Sequence, residues 1–430
     1  MTKFTRLTEE ESLQIEEDNQ VVIDNGHSLD DLPPRDDYNL AYWIFLMLGA
    51  GVLVPWISML TAVDYFTYLF PDYNFEFNLS VAYMYPNCLT LMFLTSFGNR
   101  ISIKLRVIGG FIIFILCFFV VGFVDDSVPT DVGFAFTMLA AAVFGFCDAI
   151  VQGTIYGYAS FYPPLYTQAV QGGTGAAGFI VSGSRIITKA ALPDTPEGLR
   201  ASSMIYFGFS ILFIVACMCS FLVLERLPIS IHYLNKVAQA TTQELQNADM
   251  DASFSDSTDW RKLSQVKIKD ILSRMWKLAL AVWTNFFITL FIFPGLVSII
   301  PSTRGEWSWF PVILISLYNF TDFLGKITPK WFFEDISDKN LYILTGSKIV
   351  FFPLFLFCVN PRVLKSDVIP VILISIFGWM TGYIGSLTMM RGPTKVELHE
   401  REQAGTLMAF SLVCGLTFGA TCAWTLPWFV

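Results

Sequence analysis

Apolar runs of about 20 residues recur along nearly the whole chain, and no other feature constrains the fold as tightly. Each run is long enough to cross the ~30 Å hydrocarbon core as a helix. In lipid, a lone helix is the segment that satisfies its own backbone polar groups. The runs place membrane spans at 40–62, 79–99, 107–124, 133–159, 166–190, 202–224, 275–300, 310–332, 341–359, 368–390 and 404–428, eleven in all. With 54% hydrophobic and 15% charged residues among 430, the chain reads as an all-α polytopic membrane protein and not as a soluble globule. No basic n-region and no small-residue cleavage site accompany the first run, so it is expected to be a retained helix and not a signal peptide.

Basic residues set the expected orientation. Loops 64–78 and 125–131 hold acids and no Lys or Arg. The alternate loops carry Arg100, Lys104 and Arg106, then Arg226, Lys236, Arg261, Lys262, Lys267 and Lys269, and later Arg391, Lys395 and Arg401. The positive-inside bias puts the N-terminus and the long 225–273 loop in the cytosol, and eleven spans leave the C-terminus outside. Lys189 and Arg200 go against the pattern, but Asp194 and Glu197 accompany them. Four parts follow: an acidic tail over 1–37, expected to be disordered; six helices over 38–224; a cytosolic linker over 225–273; and five helices over 274–430. Within the linker, 238–260 reads as a flexible connector, followed by a basic amphipathic stretch expected at the membrane face. No repeat relates the two halves. A net charge of −9 gives no reason to expect a nucleic-acid partner. Asn78-Leu79-Ser80 is a glycosylation sequon on the expected outer side, close to the membrane.

Polar side chains inside the runs are the functional candidates. Asp322 and Lys326 lie four residues apart in an apolar helix, on one face and within reach of each other. Ionisable groups cost roughly 2.5–3.5 kcal/mol at the bilayer centre on insertion scales, so they face cavities and pair with one another. The pair reads either as a polar anchor in a substrate pathway or as a salt bridge that locks two helices. Asp148 and Gln152 repeat the spacing in the fourth span, with Gly145, Gly153 and Gly157 around them. Gln152 suits a hydroxylated or heteroaromatic ligand, or serves as interhelical glue. In the first span, Pro55 frees a backbone carbonyl, and Trp56 lies deep enough to stack on a planar ring.

Enzyme chemistry finds no support. His27, His232 and His399 all fall in the tail or loops, the eight cysteines form no CxxC motif, and Gly172-Gly173-Thr174-Gly175 lacks a Walker lysine. No cofactor or metal is expected. With no nucleotide-hydrolysing module, transport would be downhill or ion-coupled.

Five ordered stretches resemble the equilibrative nucleoside transporter family. They are LMLGAGVLVPW with MLTAVDYFTYLFP, DAIVQGTIYG, the RIITKA to LPDTPEGLR segment, YNFTDFLGK, and TGYIGSLTMMRGPTKVELHEREQAGTLMAF. The likeness runs from about residue 38 to the end, apart from the central loop, and is strongest to the plant branch. It implies a major-facilitator-like arrangement of six plus five helices around a central cavity, with purine and pyrimidine nucleosides such as adenosine and uridine passing by alternating access. It also implies a substrate site. Leu53 and Trp56 match first-helix contacts to base and sugar, with Leu60 a further wall position. Met84 matches a second-helix contact, Gln152 the nucleobase contact of the fourth, and Phe293 a wall residue of the seventh. Asn319, Asp322 and Lys326 match the eighth-helix polar group that meets the ribose hydroxyls, and Leu416 an eleventh-helix contact.

Two departures stand out. Ile57 follows Trp56 where most members have Asn, and Lys326 replaces the Arg of many members, losing its bidentate fork. Asp148, Asp322 and Lys326 are the candidates if the transporter is proton-coupled and not purely facilitative. A proton symporter for nucleobases or another small polar solute would share the fold. The plasma membrane is the expected location, with the vacuolar membrane as the alternative.

Overall fold

The computed structural model describes residues 33–97, 101–124, 128–191, 195–252, 260–303, 309–332, 336–360 and 362–428. Of the tail expected to be disordered, residues 1–32 lie outside the described residues. Long helices follow the apolar runs. In the first half they are α1 (Leu40–Thr61), α2 (Phe75–Phe97), α3 (Ile103–Gly122), α4 (Thr130–Ala159), α5 (Pro164–Ala191) and α6 (Pro196–Leu224). A connecting helix α7 (Pro228–Ala252) leads to α8 (Trp260–Ile292), α9 (Trp309–Ile327), α10 (Asp338–Ser347), α11 (Phe351–Val359), α12 (Val368–Arg391) and α13 (Arg401–Cys422). A single 3-10 turn, Lys348–Val350, joins α10 to α11, so the ninth predicted run is one interrupted crossing.

Among the described residues, nine helices are long and apolar enough to cross a membrane. The other two predicted spans are helical as α2 and α5 but carry too many polar residues for that threshold. In α2 the buried face carries Asn87 and Thr95, and α5 lies among other helices. α5 holds Gln168, Gln171 and Thr174 fully inside, and small residues let neighbouring backbones approach. Gly173 shows how closely: a Cβ there would fall 1.9 Å from the Leu46 carbonyl oxygen of α1.

The central linker differs from expectation. The sequence reads as a flexible connector over 238–260, yet α7 is helical to Ala252. The segment has no internal Pro or Gly, and its Ala, Gln and Leu residues are adequate helix formers. The basic amphipathic stretch runs unbroken into the seventh span as the first part of α8. Tail residue Asp36 caps α1, accepting from the Ala41 and Tyr42 N–H groups and from the Tyr166 hydroxyl at the start of α5.

In the first half, α1 packs on α5 and α6, while α4 packs on α2 and α3. In the second, α9 packs on α12, and α8 on α13 and α12. The halves meet where α5 lies against α9 and α12, and where α13 lies against α4 and α2. The Arg106 guanidinium at the start of α3 pairs with the Glu402 carboxylate at the start of α13. The Thr406 hydroxyl donates to the Gly153 carbonyl at 3.0 Å. Both contacts lie at the end of the bundle that carries the basic loops.

Candidate functional site

The fold gathers the intramembrane polar residues into two groups, one in each half. In the first half, Gly145 makes the assembly possible. A Cβ at that position would meet the Tyr83 carbonyl oxygen at 2.1 Å, so only glycine lets α4 press against α2 there. This contact sets Asp148 beside α2, where the Asn87 amide donates to its Oδ2 at 2.7 Å. The Tyr83 hydroxyl sits beside the same carboxylate without meeting hydrogen-bond geometry. Asp148 is 4% exposed, and neither side chain beside it is a cation. One turn on, Gln152 is 6% exposed and its Oε1 has no partner, as is the case for the nearby Tyr156 hydroxyl. An amide oxygen buried without a donor costs about 1–3 kcal/mol, which a ligand N–H would offset.

Trp56 supplies the aromatic wall. Its half-buried ring lies 4.8 Å from that of Tyr83 at an interplanar angle of 42°. Leu53 and Trp56 border a small cluster of Ala50, Ile57 and Ala177 between α1 and α5. Ile57, which replaces the family's usual amide, is thus an apolar packing residue here. The next residue, Ser58, hydrogen-bonds Ser210 of α6 at 2.6 Å. Leu60 is half-buried against the main core. Met84 lines a cavity of about 320 Å³ between α2 and α13, together with Phe77, Tyr85, Thr417 and Trp424. Leu416, the neighbour of Thr417, packs half-buried in the core.

In the second half, Asp322 and Lys326 form the expected ion pair at 2.8 Å. Lys326 also reaches out of its own half, donating to the Thr174 hydroxyl of α5 at 3.1 Å. Its backbone carbonyl accepts from Gln168 of α5 and Ser386 of α12. The second carboxylate oxygen of Asp322 is buried and unpartnered. Both readings of the pair therefore have support: it joins two halves, and it retains one free acceptor. Asn319 is half-buried with its amide oxygen against Gly178 of α5. Phe293 stacks on Tyr318, ring centroids 3.8 Å apart at 22°.

The fold thus joins Trp56 to Asp148 through Tyr83, and sets Gln152 one turn further along α4. It also brings Asn319, Asp322 and Lys326 together on α9. Sequence reasoning overlooked Tyr83 and Asn87, ordinary residues in a helix of mixed polarity, and met Thr174 only as part of a glycine-rich stretch. Lys348 it should have found. A lone cation within the run 341–359 is the same signal that singled out Asp322. Among the described residues no cluster of His, Cys, Asp and Glu could hold a metal.

The family described as "Nucleoside transporter" matches residues 138–428. Equilibrative nucleotide transporter 8 of Arabidopsis thaliana is 32% identical over 94% of this chain and 99% of its own. Equilibrative nucleoside transporter 4 of Homo sapiens is 26% identical over 92% and 84%. In fold, the chain resembles FucP, a major facilitator superfamily transporter solved in the outward conformation. The TM-score is 0.59 over 91% of this chain and 97% of FucP, at 10% identity. A second FucP structure, a point variant of the E. coli fucose:proton symporter, gives 0.54 at 9% identity over the same shares of the two chains. At these identities the likeness concerns the fold alone.

Proposed function

The chain belongs to the nucleoside transporter family and is a multi-pass membrane protein that moves nucleosides across the bilayer; we propose that it does so by alternating access, reading the base with Gln152 and the ribose with Asp322. The observation that carries this reading is the Gln152 amide oxygen, buried without a donor one turn from Asp148. A nucleobase supplies N–H donors in a flat ring, and Trp56 with Tyr83 supplies an aromatic surface for that ring. The free oxygen of Asp322 suits a ribose hydroxyl, and Lys326 supports the carboxylate from behind. Leu53, Leu60, Met84, Phe293 and Leu416 form the apolar wall, and Asn319 adds a second polar contact to the sugar. Adenosine and uridine are the proposed substrates, and the role is transport, not catalysis.

Replacing Gln152 by Ala removes one hydrogen bond to the base and should lower uridine uptake about tenfold at unchanged surface abundance. Uptake of 2′,3′-dideoxyuridine should be equally poor in the parent protein. Equal transport of uridine and its dideoxy analogue would remove Asp322 from the ribose.

We also propose that coupling to protons, where present, runs through Asp148. It accepts from the Asn87 amide and lies beside the Tyr83 phenol, so among the described residues it is an intramembrane carboxylate without a cation beside it. Uptake by the parent should then be faster in acid than in neutral medium and collapse with a protonophore. Asp148→Asn should abolish both responses. A parent indifferent to pH and protonophore would mean facilitated diffusion, with Asp148 serving the packing of α2 and α4. The distribution of basic loops supports a cytosolic N-terminus and an outer C-terminus, and the plasma membrane is the proposed location.

A further inference from the structure

Behind the second polar group lies a lysine that substrate recognition does not use. Lys348 is 0% exposed and sits where α10 breaks into the 3-10 turn. Its Nζ donates to the Asn285 side-chain oxygen at 2.7 Å, the Thr289 hydroxyl at 2.8 Å, the Thr381 hydroxyl at 2.9 Å and the Asn285 carbonyl at 3.1 Å. The Phe377 ring lies beneath it, with the centroid at 4.8 Å. Every one of these partners is neutral, so this is not a salt bridge.

The hydrogen-bond directions show what the cage is built for. The Thr289 hydroxyl gives its proton to the Asn285 carbonyl, and the Thr381 hydroxyl gives its proton to the Phe377 carbonyl. The Asn285 amide N–H is used by the Thr381 carbonyl. All four oxygens thus present lone pairs to the lysine nitrogen, and an ammonium suits them better than an amine. Oxygen donors from a side-chain amide, two hydroxyls and a main-chain carbonyl, with an aromatic face, are the ligands of a monovalent cation site. Such sites recur in transporters where a membrane helix is interrupted, as this crossing is at Lys348.

We propose that Lys348 is a tethered cation: its ammonium fills a cation site formed by α8 and α12, which another chain of this architecture would fill with an alkali ion. The tether explains how the helices stay assembled without a dissociable ion and keeps uptake independent of alkali metals. The site bears on substrate through Phe377, whose ring lies beneath the lysine and 6.1 Å from that of Tyr318, on which Phe293 stacks. Lys348 is therefore a positioning residue. The inference rests on the transport reading only for its uptake arm.

The test uses the full chain with two variants. Lys348→Met removes the charge and fills the space; Lys348→Ala removes the charge and leaves room for an ion. Uridine uptake and the thermal midpoint of the purified protein are measured in lithium, sodium, potassium and choline chloride. The parent should be indifferent to the salt in both. Lys348→Met should lose uptake about tenfold in every salt. Lys348→Ala should lose as much in choline, then recover several-fold and unfold at a higher temperature in one alkali chloride. Indifference of Lys348→Ala to all three alkali ions in both readouts overturns the proposal, as does parental uptake by Lys348→Met. A parent that carries no uridine would remove the transport reading and leave the thermal midpoint to decide this one. If neither variant reaches the membrane, Thr381→Val decides. It keeps the lysine and deletes one oxygen, so uptake should fall in every salt, and unchanged uptake refutes the cage.

Discussion

Asp322→Asn should reduce uridine uptake about a hundredfold while leaving a substantial fraction of the protein in the membrane. Removing one partner of a buried pair strands the other charge, at about 3–5 kcal/mol. Lys326 would keep the Thr174 hydroxyl and an amide oxygen, neither of which carries charge. The substitution alone does not say whether Asp322 binds substrate or locks α9 to α5. Coupling it to Lys326→Met separates the two roles. A mere lock has no remaining charge to strand, so the double variant would recover most of the lost uptake. A carboxylate that accepts from the ribose is missing from both variants, and uptake stays low. We expect the second result, measured as initial rates normalised to surface protein.

Gly382→Ala should have the second largest effect, this time on assembly. Its Cβ would lie 2.1 Å from the Asp322 carbonyl oxygen and 2.7 Å from the Lys326 nitrogen, both backbone atoms of a packed helix. Neither atom can swing aside as a side-chain end would, so α12 and α9 must separate along this seam. Overpacking of this kind costs about 1–3 kcal/mol, and here the seam carries the Asp322–Lys326 pair as well. The expected results are a clearly lower thermal midpoint and loss of uptake. Gly346→Ala is the control, since nothing lies within 4 Å of a Cβ there. Equal midpoints for the two variants would mean that the α9–α12 contact tolerates a methyl group at Gly382.

How much of this was legible in the sequence differs by element. Continuous apolar runs announced their helices plainly, because a span must satisfy its backbone internally whatever it packs against. The runs said less about α5, whose Gln168, Gln171 and Thr174 are buried against protein, and about α2, which turns Asn87 and Thr95 inward while leaving an apolar face exposed. The i, i+4 spacing of Asp322 and Lys326 predicted their pairing, since that contact is local. Their link to Thr174 is not local, and nothing along the chain marks residues 152 positions apart as neighbours. Asn87 was hidden for the same reason, while Lys348 was in plain view and passed over. The helicity of α7 escaped because polar composition was read as flexibility, when its residues lack the Pro and Gly that would break a helix.

α7 also has a mechanical meaning. Its Tyr233 ring lies 5.1 Å from Tyr162, just past α4 in the first half. Eleven residues later, Glu244 meets His399, just ahead of α13 in the second half, at 2.6 Å. A helix rises about 1.5 Å per residue, so these two anchorages are held roughly 16 Å apart by a stiff rod. The halves cannot part at this end without detaching the rod at one anchorage or bending it. At the opposite end the halves are joined by side-chain contacts, Tyr85 with Thr421 and Phe77 with Trp424, which part more readily than a rod anchored at both ends. An alternating-access cycle on this frame would have unequal strokes, and its two half-cycles are expected to differ in rate even when the same solute stands at equal concentration on both sides.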